Sequence, residues 1–394
     1  MDFDVLKPQV QQFIINNTGA DVSKLALTKN PFPELDWQII LGQISARGKA
    51  KEKLPSWFLK AGILYPSRIS VEQTSSETTA KYKSGLVSGK SLIDLTGGFG
   101  VDAYYFSKKI GLVAHCEQDE LLSRIAHHNS IILGAQNIQF FSGDGTETLR
   151  QIGKKWDWIY LDPSRRNDAK GKVFMLNDCL PNVPALLSEY FHHADHLLVK
   201  TAPILDISAG LSELRNVKEI HVLAVDNEVK ELLWTIEYGY NGAAKITAVN
   251  ITKGRTSILT IADESSAEAF LEVPLQYLYE PNAAIMKAGG FNTVSQWFTL
   301  AKLHAHSHLY TAEEIIPDFP GRIFRIENSF AYNKARMKQF LQGKKANITT
   351  RNFPEKVDEI RKKWKMAEGG NTYCFFTTDL NDDKIVLICT KILQ

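Results

Sequence analysis

Three carboxylates and a glycine cluster pose the first chemical question. Asp94 precedes the run Gly97-Gly98-Phe99-Gly100, Glu117 closes the next apolar stretch, and Asp144 closes the one after, in "SGDG". Each acid ends a short apolar segment that reads as a strand, so all three fall on one edge of a sheet. Glycines in the turn permit positive φ and let a ligand touch the backbone. With no Lys or Arg beside them, these acids make a poor phosphate site and a good site for a cationic nucleoside. In that reading Asp94 faces the cationic group, Glu117 accepts from both ribose hydroxyls and Asp144 meets an adenine amine. S-adenosylmethionine has this chemistry. A dinucleotide fingerprint, G-x-G-x-x-G, fits less well, because Ala103 stands where the third glycine belongs. The competing reading is a set of helix caps and turn formers without a ligand.

The elements that must position these groups follow from pattern. Residues 1–85 read as helices, broken at Pro31, Pro33 and Pro55. Then strands and helices alternate. "KSLIDLT", "GLVAHCEQ", "IQFFSGD", "WDWIYLDP" and "DHLLVKTAP" read as strands. "GVDAYYFSKKI", "ELLSRIAHHNSIILG" and "LNDCLPNVPALLSEYFHHA" read as the helices between them. That alternation predicts an α/β fold with a mostly parallel sheet covered on both faces. "ELLWTIEYGY", "AAKITAVNIT" and "TSILTIA" read as consecutive strands, an antiparallel edge. From about Leu275 the pattern resets. "YLYEPNAAIMKAGG" and "QWFTLAKL" look helical, ahead of a mixed region that runs to the C-terminus.

Composition bounds the partners. At 394 residues the chain has room for two or three domains. No apolar run is long enough for a membrane span, and no membrane partner is expected. The four cysteines (Cys116, Cys179, Cys374, Cys389) form no CxxC pair and read as free thiols of a reducing, cytoplasmic setting. His304, His306 and His308 recur at period two without a nearby Cys or carboxylate, so no metal site is expected. The net charge of +2 is uneven. Between Arg322 and Met366, 13 basic residues stand against four acidic ones, so that segment is +9 and the remainder −7. Phe324, Phe330, Tyr332, Phe340, Phe353 and Trp364 alternate with the cations. Phosphate pairing plus base stacking is how single-stranded RNA is gripped, which makes this segment a candidate RNA surface. The alternative is a helix with a wet basic face and a packed aromatic one.

Residues 70–240 resemble a class I S-adenosylmethionine-dependent methyltransferase. "DLTGGFG" resembles its glycine-rich motif, "CEQD" the acidic motif and "SGDG" the third-strand motif. "YLDPSRR" (Tyr160 to Arg166) resembles the [DNS]-P-P-[YFWR] motif of nucleic-acid methyltransferases. "EQTSSETTAKYKS" resembles the helix that precedes the glycine motif in RNA methyltransferases related to trimethylguanosine synthase. "YLYEPNAAIMKAG" and "ANITTRNFPEKVDEIRKKW" are similar to a bacterial family that joins such a domain to a THUMP-like module. The resemblance implies a Rossmann-like, seven-stranded domain over 86–268, a helical region over 1–85, and an α+β THUMP-like domain over 269–394 that docks RNA. It implies a cofactor site of Asp94, Thr96, Gly97, Gly98, Gly100, Glu117, Asp144 and Gly145.

The catalytic set implied by the resemblance is Asp162, Pro163, Ser164 and Arg165. In the motif's Pro-Pro-aromatic form the Asp and a proline carbonyl hold an exocyclic amine while the aromatic stacks on the base. Ser164 and Arg165 depart from that form. Arginine can stack on a base or pair with phosphate, so an amine target fits, with ring carbon and ring nitrogen targets still open. Substrate contacts are expected from Glu77, Arg166, Lys200, Lys344, Lys345, Arg351, Lys362 and Lys363. For Arg165 and Arg166 a surface ion pair competes; for Lys200, a solvated strand end. The functional expectation is methylation of a base in tRNA or rRNA. The alternatives are a protein or small-molecule substrate, or a non-catalytic RNA-binding protein on a Rossmann-like scaffold.

Overall fold

The computed structural model describes residues 3–165 and 175–392. Its larger sheet contains β1 (Ser91–Asp94), β2 (Leu112–Glu117), β3 (Ile138–Ser142), β4 (Trp156–Leu161), β5 (Ala194–Thr201), β6 (Val217–Val225), β7 (Glu228–Glu237), β8 (Lys245–Thr252) and β9 (Arg255–Ile261). Their order is β9-β8-β6-β7-β5-β4-β1-β2-β3. The sheet therefore has nine strands, not the seven expected. Seven of them give the order β3-β2-β1-β4-β5-β7-β6, and the hairpin β8–β9 is added beyond β6. Strands β3 through β5 pair in parallel, whereas β7 runs antiparallel to β5. Near-continuous apolar runs such as "LLVKT" suit strands buried on both faces, and Leu197, Leu198 and Val199 are fully buried.

Chain order reverses between β1 and β4. The crossover from β1 leads to β2 on one side, and β4 returns on the other. Such a switch point opens a crevice at the carboxyl ends of the strands. The N-terminal helices pack beside it. Helix Trp37–Lys53 is capped by Asp36, whose Oδ1 accepts from the Gln38 amide at 2.9 Å. Gln43 within it bonds both backbone groups of Tyr65. Trp57 and Tyr65 share a hydrophobic core with Phe99, whose ring centroid lies 5.2 Å from that of Trp57. The phenylalanine of "GGFG" thus anchors the glycine turn to the helices.

Two compact units divide the chain: residues 1–220 with 230–244, and residues 221–229 with 245–394. In the second unit a further sheet contains β10 (Tyr277–Pro281), β11 (Ala301–Lys302), β12 (Tyr310–Ala312), β13 (Gly321–Ala331), β14 (Asn347–Thr350), β15 (Thr372–Thr378) and β16 (Lys384–Ile392), in the order β11-β12-β10-β13-β16-β15-β14. "YLYEP", expected to be helical, is the strand β10; its helix starts only after Asn282, at Ala283–Ala288. The burial pattern iBBBB explains the difference, since every residue after the first is buried and a short apolar run does not declare its period. "LNDCLPNVPALLSEYFHHA" is also less helical than expected. Its α-helix spans Val183–His193, and Cys179–Leu180 pairs instead with Ser164–Arg165. All four cysteines are buried, and no disulfide joins them. Among the described residues no helix is long and apolar enough to cross a membrane.

Candidate functional site

The glycine turn is built around a histidine. His115 on β2 is fully buried, and its Nε2 lies 3.3 Å from the Gly98 carbonyl oxygen. A Cβ at Gly97 would stand 2.4 Å from that nitrogen, and one at Gly100 3.1 Å from Ala126 Cβ. Gly98 and Gly100 have φ of +54° and +82°. The turn is therefore closed to side chains by contact at 97 and by conformation at 98 and 100. Burial pushes the His115 imidazole down to about 4, against smaller opposing effects of the Gly98 and Gly97 backbone, so the ring is neutral near pH 7.

The turn forms one wall of a cleft of about 610 Å³ at the carboxyl ends of the parallel strands. Asp94, Thr96, Gly97, Gly98, Glu117, Asp144 and Gly145 line it, as do Asp162, Pro163, Ser164 and Lys200. The sequence-derived cofactor set is thus brought together except for Gly100, which sits behind the turn as the cap of helix Val101–Phe106. Glu117 accepts from the Gly98 amide at 2.7 Å and the Asp119 amide at 2.8 Å. A carboxylate has about four lone-pair sites, so two bonds orient it and leave capacity for two hydroxyl donors. Asp94 is fully buried. Its Oδ1 takes the Thr96 amide at 2.9 Å, while Oδ2 has no partner. Burial raises this carboxyl well above its ordinary range, with Asp102 and Asp162 adding to the effect. Asp144 caps helix Gly145–Ile152 and accepts from Gln118 Nε2 at 2.9 Å. Gly145 answers a packing need: a Cβ there would lie 2.2 Å from the Leu95 carbonyl oxygen.

Opposite the turn, the Asp162 amide donates to Thr96 Oγ1 at 2.7 Å, and its carboxylate accepts from Lys200 Nζ. Lys200 is therefore a paired lysine inside the cleft rather than a solvated strand end. Burial alone would lower its pKa, but Asp162, Glu231 and Asp102 outweigh burial and hold the ammonium above its usual value. A second buried cation stands behind it. Lys83, fully buried, contacts Asp102 Oδ1 at 3.1 Å, Glu231 Oε1 at 3.0 Å and Ser75 Oγ at 2.7 Å. Asp102 Oδ2 in turn accepts from Ser75 Oγ and Tyr160 OH, each at 2.8 Å. Burial would raise Asp102, yet Lys83 and Lys200 hold it low, whereas burial raises Glu231. Sequence reasoning missed Ser75 and Asp102, which line the cleft, and Lys83 and Glu231, which support it. The only available signal was Asp102, an acid just inside the helix that follows the glycines.

Other expected contacts fall elsewhere. Glu77 does not line the cleft; its carboxylate accepts from the Ser56 amide and from Lys81 Nζ. Arg165 lies on a two-residue strand whose side chain is outside the described residues, and Arg166 is outside them altogether. Leu180 and Pro181 complete the wall beside Ser164. In the second unit Lys344, Lys345 and Lys362 are exposed. Arg351 instead contacts Glu280 at 3.1 Å, and Lys363 contacts Glu355 at 2.8 Å. The aromatic half of the expected RNA surface is overturned. Phe330 and Trp364 are buried in one hydrophobic core with Tyr332, Phe340 and Phe353 packed against it, and Phe324 is buried in another. Helix Val357–Trp364 turns Ile360 and Trp364 inward and leaves Lys362 and Lys363 outside, the wet-and-packed arrangement. His304 bonds Asp382 at 3.0 Å and accepts from the His306 amide at 3.0 Å, while His308 stacks on Phe291. Among the described residues no His, Cys, Asp and Glu group can hold a metal ion.

A Porphyromonas gingivalis W83 protein described as a candidate methyltransferase has this fold throughout. It is 31% identical, with a TM-score of 0.87, over 98% of each chain. A Pyrococcus abyssi tRNA (uracil-54, C5)-methyltransferase in complex with S-adenosyl-L-homocysteine overlaps 44% of this chain and 39% of its own, at 18% identity and a TM-score of 0.31. A Bacillus cereus O-methyltransferase in complex with the same product overlaps 57% and 99%, at 12% identity and 0.34. Scores that low say nothing of substrate. Residues 277–320 match a ferredoxin-like domain family, and residues 321–391 a THUMP domain-like family. No curated protein matches the sequence.

Proposed function

The chain belongs to the methyltransferase-fold family that carries a THUMP-like C-terminal domain, and on that premise we propose that it transfers a methyl group from S-adenosylmethionine to a base in structured RNA. The observation that carries this reading is the cleft lining: Asp94, Asp102, Glu117, Asp144 and Asp162, with Lys200 as the one cation among the described residues. A carboxylate-rich pocket with an unpartnered buried oxygen on Asp94 suits a cationic nucleoside. Glu117 would take the ribose hydroxyls, Asp144 the adenine edge and Asp94 the cationic end. The bound cofactor supplies an electrophilic methyl on a sulfonium.

The chain's own residues then act by placement, which is most of what an in-line displacement needs. Asp162, oriented by Thr96 and Lys200, accepts a hydrogen bond from the amine to be methylated. Leu180 and Pro181 wall the same side against water. Residues 269–394 provide the docking surface through the exposed lysines 344, 345 and 362. Four cysteines outside any disulfide fit a reducing cytosol.

Nucleoside mass spectrometry of RNA from cells with and without the gene tests the proposal. One methylated nucleoside is expected to disappear and to return with the wild-type gene but not with Asp162→Asn. Unchanged nucleosides in tRNA and rRNA would remove RNA as the substrate. Cofactor bound to the purified protein, read by the same instrument, tests the cofactor separately.

A further inference from the structure

A second cleft, of about 450 Å³, lies wholly within the unit of residues 221–229 and 245–394. Its size falls within the ~300–1,000 Å³ of small-ligand sites. Its chemistry is the reverse of the first. Arg255, Arg322 and Lys391 line it, and among the described residues no carboxylate does. We propose that this cleft binds a phosphorylated nucleotide, with the phosphate on the three cations and the base over an asparagine floor. The proposal rests on the RNA reading for its biological source, because the RNA substrate itself would supply that nucleotide.

Two features make the cleft a built site. First, the cations are held in place. Arg322 donates through Nε, at 2.7 Å, and through a terminal nitrogen to Glu280, whose side chain is 4% exposed. The same carboxylate also carries Arg351 at 3.1 Å. One buried acid under two guanidinium groups fixes Arg322 and leaves a surplus positive charge. Arg255 pairs with the exposed Asp318 at 2.8 Å, and the exposed Lys391 lines the same cleft.

Second, the floor is pre-ordered. Asn227 sits in the left-handed region at φ +64° in the turn after β6, a conformation that asparagine tolerates. Its amide donates to Asn250 Oδ1 at 3.0 Å, and its Oδ1 accepts from the Ala283 amide at 2.8 Å. Asn282 caps the helix at Ile285 and donates to Ser257 Oγ at 3.2 Å. Asn227 and Asn250 both line the cleft, and each is held in place through its engaged side-chain oxygen. Fixed amide donors read the polar edge of a base, and fixed cations read its phosphate.

The test uses the full chain with three probes: inorganic phosphate, adenosine monophosphate and a labelled single-stranded 12-mer oligoribonucleotide. Two variants leave the fold's buried contacts in place, the first giving up the exposed Arg255–Asp318 pair. Arg255→Glu with Lys391→Glu reverses exposed cations. Asn250→Asp keeps the acceptor for the Asn227 amide and adds a negative charge. Each variant is expected to weaken monophosphate and oligonucleotide binding by about tenfold or more, with S-adenosylhomocysteine binding unchanged. An oligonucleotide bound at least about tenfold more tightly than the monophosphate identifies RNA as the source; equal affinities identify a free nucleotide. Unchanged affinity for every probe in both variants overturns the site. Monophosphate binding that drops in the variants of a chain that binds no oligonucleotide keeps the site and removes the RNA reading. RNA that binds wild type and variants alike does the reverse.

Discussion

The ammonium of Lys200 is held by the carboxylate of Asp162, and both side chains line the cleft that carries the glycine turn. The pair joins the end of β5 to the loop after β4, and it fixes the direction of the Asp162 carboxylate in a half-enclosed site.

Asp162→Asn removes that charge while preserving shape. Turnover is expected to fall about 10²-fold, the usual effect of losing one oriented polar group, with cofactor affinity within a few-fold of wild type. Lys200→Met should lower turnover in the same direction, because Asp162 then loses the partner that orients it. Single-turnover methylation and calorimetry read the two quantities separately. A parallel loss of affinity and turnover in Asp162→Asn would assign Asp162 to the cofactor rather than to the substrate.

Glu117 is expected to bind the ribose through the lone pairs that the Gly98 and Asp119 amides leave free. Glu117→Ala removes a charge-assisted pair of bonds, about 2 kcal/mol, or about 30-fold in affinity for S-adenosylhomocysteine. Wild-type affinity by calorimetry would withdraw the ribose assignment and leave Glu117 as a support for the turn.

Much of the site was legible because its parts are adjacent in sequence or sit at strand ends. "DLTGGFG", Glu117, Asp144 and "LDPS" each declare a local geometry, and the parallel order collects them. The supporting charges were not legible, because they come together only in the fold. Lys83 meets Glu231 across 148 residues, and no local pattern marks either as buried. The basic segment misled for a related reason. Its cations and aromatics alternate in sequence, but strand and helix periods send them to opposite sides, so Trp364 is core and Lys362 is surface. His115 was equally silent, since an apolar strand with one histidine says nothing of a turn packed against the ring.

That histidine gives a pH prediction. An unfolded histidine titrates near 6.5, and His115 in the fold only near 4. Between those values the unfolded chain binds a proton that the folded chain refuses. Stability therefore rises with pH across this window and is lost as pH falls from 6.5 toward 4, by about 3 kcal/mol for the full shift. Asp94, raised by burial, acts in the opposite sense, its contribution falling as pH rises above the ordinary carboxyl range. The difference between wild type and His115→Gln isolates the histidine. Denaturant midpoints at pH 4.5 and 7 should differ less in the variant. Identical differences in the two proteins would show that another group sets the acid limb.

The surface prediction concerns Lys344, Lys345 and Lys362, the expected RNA contacts that stand exposed. Lys363 is left intact, because its reversal would set a glutamate against Glu355 and disturb Tyr332, to which it donates at 3.1 Å. With the aromatics in the core, phosphate contacts must carry this surface, and each single-strand contact contributes about −0.7 to the log–log salt slope. Three such lysines contribute about −2 to the slope of the full chain. Reversing all three to Glu should weaken RNA binding more than about tenfold and make the slope shallower by about 2, with cofactor affinity unchanged. The full chain is the proper vehicle, since a fragment beginning at residue 270 would sever β8 and β9 from the unit to which they belong. Affinity and slope that survive the triple reversal would leave these lysines as a solvated face and move RNA docking elsewhere on the protein.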